Sequence, residues 1–327
     1  MYPFRYARAR DALAAAQGAE RSPTTRYVAG GTSIVDLMKI YVERPTELVD
    51  INALPLSQIE ERADGLWIGA LVKNSDAAHH PLVAERYRAV SEALLSGASP
   101  QLRNMASTGG NLLQRTRCPY FRDLGAPCNK REPGSGCSAI GGYNRMHAIL
   151  GGSEQCIAVH PSDLCVALVA LEATVHTQHA KGTRAIPMAD FHVLPGAHPE
   201  RETVLGQGEL ITHVSLPKTA FFARSRYVKV RDRAAFAFAL ASAAVALDVQ
   251  DGQVIAARVA FGGIGTRPWR SPEAEQALVG KPATRATFET AAGAALAAAK
   301  PREHNAFKLA LARQTLIRAL ETARGAS

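Results

Sequence analysis

The 327-residue chain is poor in aromatic residues, 6% in all, and holds only five cysteines. An odd count excludes a complete set of disulfides. No apolar run is long. The longest uncharged stretch, Ala234–Leu247, is bounded by Arg233 and Asp248 and falls short of the roughly 18 residues that a membrane-spanning helix needs. Met1–Gln17 carries Arg5, Arg8, Arg10 and Asp11, with no continuous apolar segment and no adjacent arginine pair. It therefore reads as lacking a signal peptide of its own. No internal repeat, low-complexity tract or C-x2-C pair occurs. What remains is ordinary for a globular protein: 47% apolar and 20% charged residues, enough chain for about two domains with a core that needs no disulfides. The net charge of +9 suits nucleic acid, an acidic partner or an anionic cofactor. The basic residues are spread along the chain and do not choose among these.

Local patterns predict an α+β chain. Asp11 caps a helix over Ala12–Gln17 that Gly18 ends. Strands are expected at Arg26–Ala29, Glu47–Ile51 and Leu66–Ala70. Helices are expected at Ile34–Lys39, from Asp76, over Val90–Leu95, and over Leu164–Leu171 behind Pro161-Ser162-Asp163. Cys118–Cys156 is nearly aperiodic and rich in Gly, Pro, Asn and Arg; loops of that length are functional or disordered. Regular structure is expected again at Cys156–Val159. Thr174–Thr177 pairs with Thr183–Ile186, and Glu209–Leu216 ends at Pro217, near a domain boundary. Arg226–Val230, Ala237–Val249 (a strand or a helix by its apolar run) and Val254–Gly262 predict a three-stranded sheet with a hairpin at Asp251-Gly252. Ala286–Ala299 and Phe307–Arg324 have helical period.

Two glycine turns carry the first chemistry. In Val28-Ala29-Gly30-Gly31-Thr32-Ser33-Ile34 a strand runs through two glycines and two hydroxyls into a helix. Backbone N–H groups there can cradle an anion such as a pyrophosphate; the alternative is a tight turn with Thr32 or Ser33 as helix cap. Ala106-Ser107-Thr108-Gly109-Gly110-Asn111 repeats the composition. Two such turns point to an extended, phosphate-bearing cofactor. Asp163 is either a helix N-cap or a carboxylate for ribose-type hydroxyls.

Four of the five cysteines follow the spacing Cys118-x9-Cys128-x8-Cys137-x18-Cys156. Three readings stay open: an iron–sulfur cluster, whose larger body long loops can wrap; zinc, which usually takes a tighter knuckle; and free or disulfide-bonded thiols. Arg115, Arg117, Arg122, Lys130 and Arg131 would offset a cluster's negative charge. Cys165, in an apolar run, reads as core. His147 and His160 read as substitute ligands or as neighbours of a ligand.

These strings resemble the FAD-binding medium subunit of the xanthine oxidase (molybdenum hydroxylase) family. The resemblance rests on Ala29–Thr32, Ala106–Asn111, Pro161–Asp163 and Val259–Gly263 and spans essentially the whole chain. Thr116–Phe121, Pro127–Arg131 and Pro133–Cys137 resemble its aldehyde oxidoreductase branch more narrowly; most medium subunits lack this loop. The resemblance implies a PCMH-type FAD-binding domain over residues 1–220. Its two α/β subdomains cover about 1–53 and 54–220, with a [4Fe–4S] loop at 115–158. A smaller C-terminal α+β domain follows at 221–327. It implies FAD on Val28, Ala29, Gly30, Gly31, Thr32, Ser33 and Ile34, on Ser107, Gly110 and Asn111, and on Asp163 at the ribityl chain. Leu210 and Lys229 match positions near the isoalloxazine. Cys118, Cys128, Cys137 and Cys156 match the [4Fe–4S] ligands.

The implied function is electron transfer. A large subunit with molybdenum cofactor oxidises aldehyde to carboxylate, a small subunit carries two [2Fe–2S] clusters, and FAD on this chain passes electrons to an external acceptor. The [4Fe–4S] cluster is a second electron exit or a staple for its loop. Such a complex is periplasmic if its small subunit carries the export signal, and cytoplasmic otherwise. Two rival readings are a metal-containing nucleic-acid-binding protein, favoured by the charge and the basic loop with Tyr120 and Phe121, and a stand-alone flavin oxidase of the same fold.

Overall fold

The computed structural model describes residues 1–325. Three sheets follow one another along the chain. The first is parallel, with β2 (Thr25–Val28) and β1 (Arg5–Arg8) on either side of β3 (Glu47–Asp50). Parallel strands need crossover connections, and the helices Ala12–Glu20 and Ile34–Lys39 supply them. Asp11 caps the first, accepting from Ala14 N at 2.7 Å. That helix does not stop at Gly18 as the sequence suggests. It runs on to Glu20, and the Gly18 carbonyl accepts from Arg21.

The second sheet is antiparallel, in the order β4 (Ile59–Arg62), β5 (Gly65–Gly69), β8 (Leu210–Pro217), β6 (Thr174–His179) and β7 (Gly182–Pro187). The helix Asp163–Ala170 lies in its core, every residue from Leu164 to Ala170 being buried. Near-continuous apolar sequence fits a helix covered on all sides.

The third sheet contains β9 (Ser225–Val230), β10 (Ala241–Gln250) and β11 (Gln253–Gly262), the three strands expected, with a two-residue β12 (Trp269–Arg270) at its edge. The ambiguous apolar run is a strand from Ala241; its first residues, Ala237–Leu240, lie outside it. Asp251 and Gly252 both take positive φ, 50° and 74°, in the hairpin between β10 and β11. The helix Phe307–Arg324 crosses this sheet, burying Ala312, Leu316, Ile317 and Leu320 at i, i+4, i+5 and i+8. Each fully buried leucine or isoleucine there contributes about 1.5–3 kcal/mol.

Residues 123–162 form no helix or strand, and Cys156–Val159 is irregular rather than a strand. The segment is nonetheless fixed. Ala148 N donates to Ile157 O at 2.9 Å, and Ile149 N to Ile264 O at 2.9 Å. The loop is thereby sewn to the third sheet, and Ile149 and Leu150 join that sheet's core.

Candidate functional site

The two glycine turns, 79 residues apart in sequence from Gly30 to Gly109, meet back to back. A Cβ on Gly30 would lie 1.7 Å from the Met105 carbonyl oxygen. That glycine is therefore required by packing against the second turn, and it also lines the cleft as its motif suggests. Gly31 sits at φ +73°, where a side chain is strained. Ser33 heads the helix Ile34–Lys39, yet its hydroxyl makes no capping bond. Among the described residues no acceptor takes the N–H of Gly31, Thr32, Ser33 or Ile34. Unpaired backbone donors at a surface demand water or a ligand.

The second turn differs. Thr108 N donates to Val72 O, Gly109 N to Ala70 O, Gly110 N to Ser107 Oγ and Asn111 N to Ser107 O. The amides of Thr108–Asn111 are spent inside the protein; among the described residues only the Ser107 N–H of this turn has no acceptor, and Ser107 lines the Tyr27 lobe. Its contribution is a smooth wall at Gly110 and the Asn111 side chain, whose oxygen accepts from Ser162 Oγ at 2.6 Å and Gln114 Nε2 at 2.7 Å.

The turns pinch a cleft into two lobes that share Thr32, Ser33, Gly110 and Gln114. One lobe, about 550 Å³, is lined by Tyr27, Leu112, Leu210 and Ile211. The other, about 500 Å³, is lined by Leu94, Asp163, Lys229, Phe236 and Phe238. Volumes of this size suit an organic ligand. Leu210 and Lys229, expected beside one ring system, line different lobes. Val28 does not reach the wall; Tyr27, one position earlier on β2, lines it and donates to Gly208 O at 2.7 Å.

Asp163 is not the helix cap. Ser162 is, accepting from Cys165 N at 3.1 Å. This frees the Asp163 carboxylate, which takes Lys229 Nζ at 2.7 Å and Tyr227 OH at 2.5 Å. Tyr227 and Lys229 are two apart on β9 and so share a face. Lys229 also donates to Ser96 O at 3.1 Å. Burial, then the facing Asp163, holds the Tyr227 hydroxyl far above its usual range, so it stays a donor.

A charged group at the rim of the Tyr27 lobe was not foreseen. Arg115 bridges Glu43 and Glu202, both at 2.6 Å, and Lys130 joins Glu202 at 3.0 Å. Burial opposes the charge on Glu202, but Arg115 and Lys130 outweigh it and keep its pKa low. Arg117 and Arg122 likewise converge on Asp36, at 3.0 and 2.8 Å. Arg131 donates to the carbonyls of Tyr120, Phe121 and Ala126. The basic residues expected to offset a cluster's charge are thus paired with acids and carbonyls.

The four loop cysteines converge. Cys128 and Cys137 form an antiparallel bridge. Burial pushes the Cys118 thiol up to about 12, and the charges of Cys128 and Cys156 push the same way. Burial also raises Cys156, offset by Lys130 and by the Ala158 N–H, which donates to its sulfur at 3.4 Å. His147 Nε2 lies 3.1 Å from Cys118 Sγ. No three of the four sulfurs come within 4.8 Å of one another. Tetrahedral zinc, with Zn–S near 2.3 Å, holds its sulfurs roughly 3.8 Å apart. The set is too open for one zinc ion and fits a polynuclear cluster better. Cys165 is fully buried in the helix Asp163–Ala170, apart from the other four.

Comparison with known proteins decides the family. The model of the FAD binding domain in molybdopterin dehydrogenase matches residues 2–219, and that of the CO dehydrogenase flavoprotein C-terminal domain matches residues 226–323. The chain belongs to the FAD-binding medium subunits of the xanthine oxidase family. The Escherichia coli K12 aldehyde oxidoreductase FAD-binding subunit PaoB is 49% identical over 326 residues, 99% of each chain. The Sulfolobus acidocaldarius glyceraldehyde dehydrogenase medium chain is 28% identical over 86% of this chain and 83% of its own. Among solved structures, Hydrogenophaga pseudoflava carbon monoxide dehydrogenase matches with a TM-score of 0.77 at 26% identity, covering 99% of both chains. Quinoline 2-oxidoreductase from Pseudomonas putida 86 matches at 0.76 and 25%, covering 99% and 98%. Membership in this family sets aside the nucleic-acid reading. No described helix is long and apolar enough to cross a membrane.

Proposed function

We propose that this chain is the FAD- and [4Fe–4S]-carrying electron-transfer subunit of a molybdenum-containing aldehyde oxidoreductase. Electrons reach it from the [2Fe–2S] clusters of a small subunit while a large molybdenum-cofactor subunit oxidises aldehydes to carboxylic acids. The observation that carries the reading is the 49% identity to PaoB along the whole chain.

Bound FAD exchanges one or two electrons, and the residues around the cleft bind, orient and shield it. The free N–H groups of Gly31–Ile34 and the unused Ser33 hydroxyl take the pyrophosphate. The lobe of Tyr27 and Leu210 takes the adenosine, and the lobe of Lys229, Phe236 and Phe238 takes the flavin ring. Asp163 and Asn111 face the ribityl hydroxyls. This arrangement divides the residues expected around the ring between the two ends of the cofactor. Cys118, Cys128, Cys137 and Cys156 hold the cluster, with the Ala158 N–H supplying a hydrogen bond to sulfur of the kind that tunes a potential.

Anaerobic addition of an aldehyde that the purified three-subunit complex oxidises tests this function. The flavin absorption bleaches in the complex and does not bleach in the isolated chain. Aldehyde oxidation by the isolated chain would replace this reading with that of a stand-alone flavin oxidase.

A further inference from the structure

A second cluster of metal-ligating side chains lies outside the cysteine loop. One ring nitrogen each of His160 and His192 and the Cys165 sulfur lie within 4.8 Å of one another. The two rings meet edge to face, centroids 4.3 Å apart. His192 is 3% exposed and Cys165 0%. His192 Nε2 is paired with Leu112 O at 3.0 Å, and His160 Nδ1 with Ser162 N at 3.4 Å. The other nitrogens, His192 Nδ1 and His160 Nε2, are buried without a partner. Two orphaned imidazole nitrogens at one place are costly unless something binds them. Both rings also border the Tyr27 lobe, and packing within the chain does not account for the unpaired nitrogens.

We propose that His160, Cys165 and His192 form a site for one zinc(II) ion, in the wall between the cofactor cleft and the cysteine loop. Two imidazoles and a thiolate suit a borderline-soft cation. Three atoms no more than 4.8 Å apart share a centre within about 2.8 Å of each, so contraction by roughly half an ångström reaches zinc distances. Burial keeps both histidines neutral, with His192 lowered to about 4. His192 donates from Nε2 to Leu112 O, which leaves the Nδ1 lone pair free; His160 ligates through Nε2 in the tautomer that gives up its long contact with Ser162 N at 3.4 Å. The Cys165 thiol loses its proton to solvent as the Zn–S bond forms, so binding releases one proton and tightens as pH rises. A cavity of about 20 Å³ is lined by His160 and His192, though not by Cys165, and has room for a single water on the histidine side of the site. Glu202, Lys130 and Arg201 also line this cavity; the carboxylate favours a cation there, and the ammonium and guanidinium oppose it. The site requires neither FAD nor the iron–sulfur cluster.

The test uses the purified full-length chain, with zinc, iron, sulfide and FAD assayed in the same sample after one equivalent of zinc and gel filtration. Wild type should retain about one zinc with iron and FAD unchanged. Cys165→Ala and His192→Gln should each weaken zinc binding by about 100-fold or more, with iron and sulfide unchanged; Cys165 does not line the cleft, so its variant should also leave FAD unchanged. Zinc retained equally by both variants, zinc gained only as iron is lost, or no zinc retained by wild type would each overturn the proposal. Should a variant fail to fold, cobalt(II) added to wild type decides. A sulfur-to-metal charge-transfer band supports the site, and bound cobalt without that band refutes it. FAD content in the same samples keeps this result separate from the flavin reading.

Discussion

The cofactor cleft and the cysteine loop lie side by side and are built by opposite means. The cleft stands on regular elements. The strand β2 and the helix Ile34–Lys39 aim the first turn, and the backbone itself supplies the donors. The loop has one short helix, Pro119–Arg122, and then no regular element before Asp163. It is shaped by side chains reaching carbonyls, Arg131 above all, by Asn129 accepting from Gly136 N at 2.8 Å, and by the bridge between Cys128 and Cys137. A site made of backbone is ready before its cofactor arrives. A site made of thiols draws part of its stability from the metal it holds. Asp36 joins the two regions, since it belongs to the cleft helix and pairs with two loop arginines.

This contrast predicts that the two sites fail separately. The largest effect is expected for Cys128→Ser. Iron and acid-labile sulfide should fall from about four per chain to near zero, while FAD content holds. Loss of both cofactors together, by metal assay and flavin fluorescence, would erase the distinction. Lys229→Met comes next. It leaves the Asp163 carboxylate, 9% exposed, without its cation, at a cost of about 3–5 kcal/mol. Thermal unfolding should show the loss, and FAD should dissociate more readily, while iron stays.

Gly30→Val forces the two glycine turns apart. Overpacking of this kind costs about 1–3 kcal/mol, more when backbone must move, and here the obstacle is the Met105 carbonyl. FAD occupancy of the folded fraction should collapse. Unchanged occupancy would mean that the turns do not form the cleft. Asp36→Asn is the mildest, about 1 kcal/mol given its partial exposure. Arg122 and Arg117 lower the Asp36 pKa below 3.8, against the opposing effect of burial. A carboxylate lowered by folding stabilises above its unfolded value. The wild-type advantage over Asp36→Asn should therefore be full at pH 7 and fade as pH falls below about 4, read as the difference in unfolding midpoint.

Much of this was legible in the sequence where the signal is local. Ile34–Lys39 and Phe307–Arg324 have the expected bounds because a turn and a sustained 3.6-residue period define them. What the sequence hid is long-range. Nothing near Gly30 reveals that Met105 backs onto it, so its packing role stays hidden behind its place in the cleft wall. The second turn looks like a donor set, and only β5 and its flanks show that most of its amides are taken. Asp163 reads as a cap because Ser162, one residue earlier, offers the same signal. β1 was missed because its pairing with β3 is parallel and four residues long. The charges of the loop suggested an open basic face, and only their distant acids, Asp36, Glu43 and Glu202, show otherwise. His192 carries no sequence signal at all; it meets His160 and Cys165 only through the fold.

The most direct test of two separate cofactor sites is a cofactor count on the purified chain, by visible spectrum with iron, sulfide and zinc assays, before and after Cys128→Ser. The account predicts one flavin and about four irons in wild type, and one flavin with almost no iron in the variant. A wild-type chain with zinc at the four cysteines and no flavin, or a variant that keeps its iron, would contradict it.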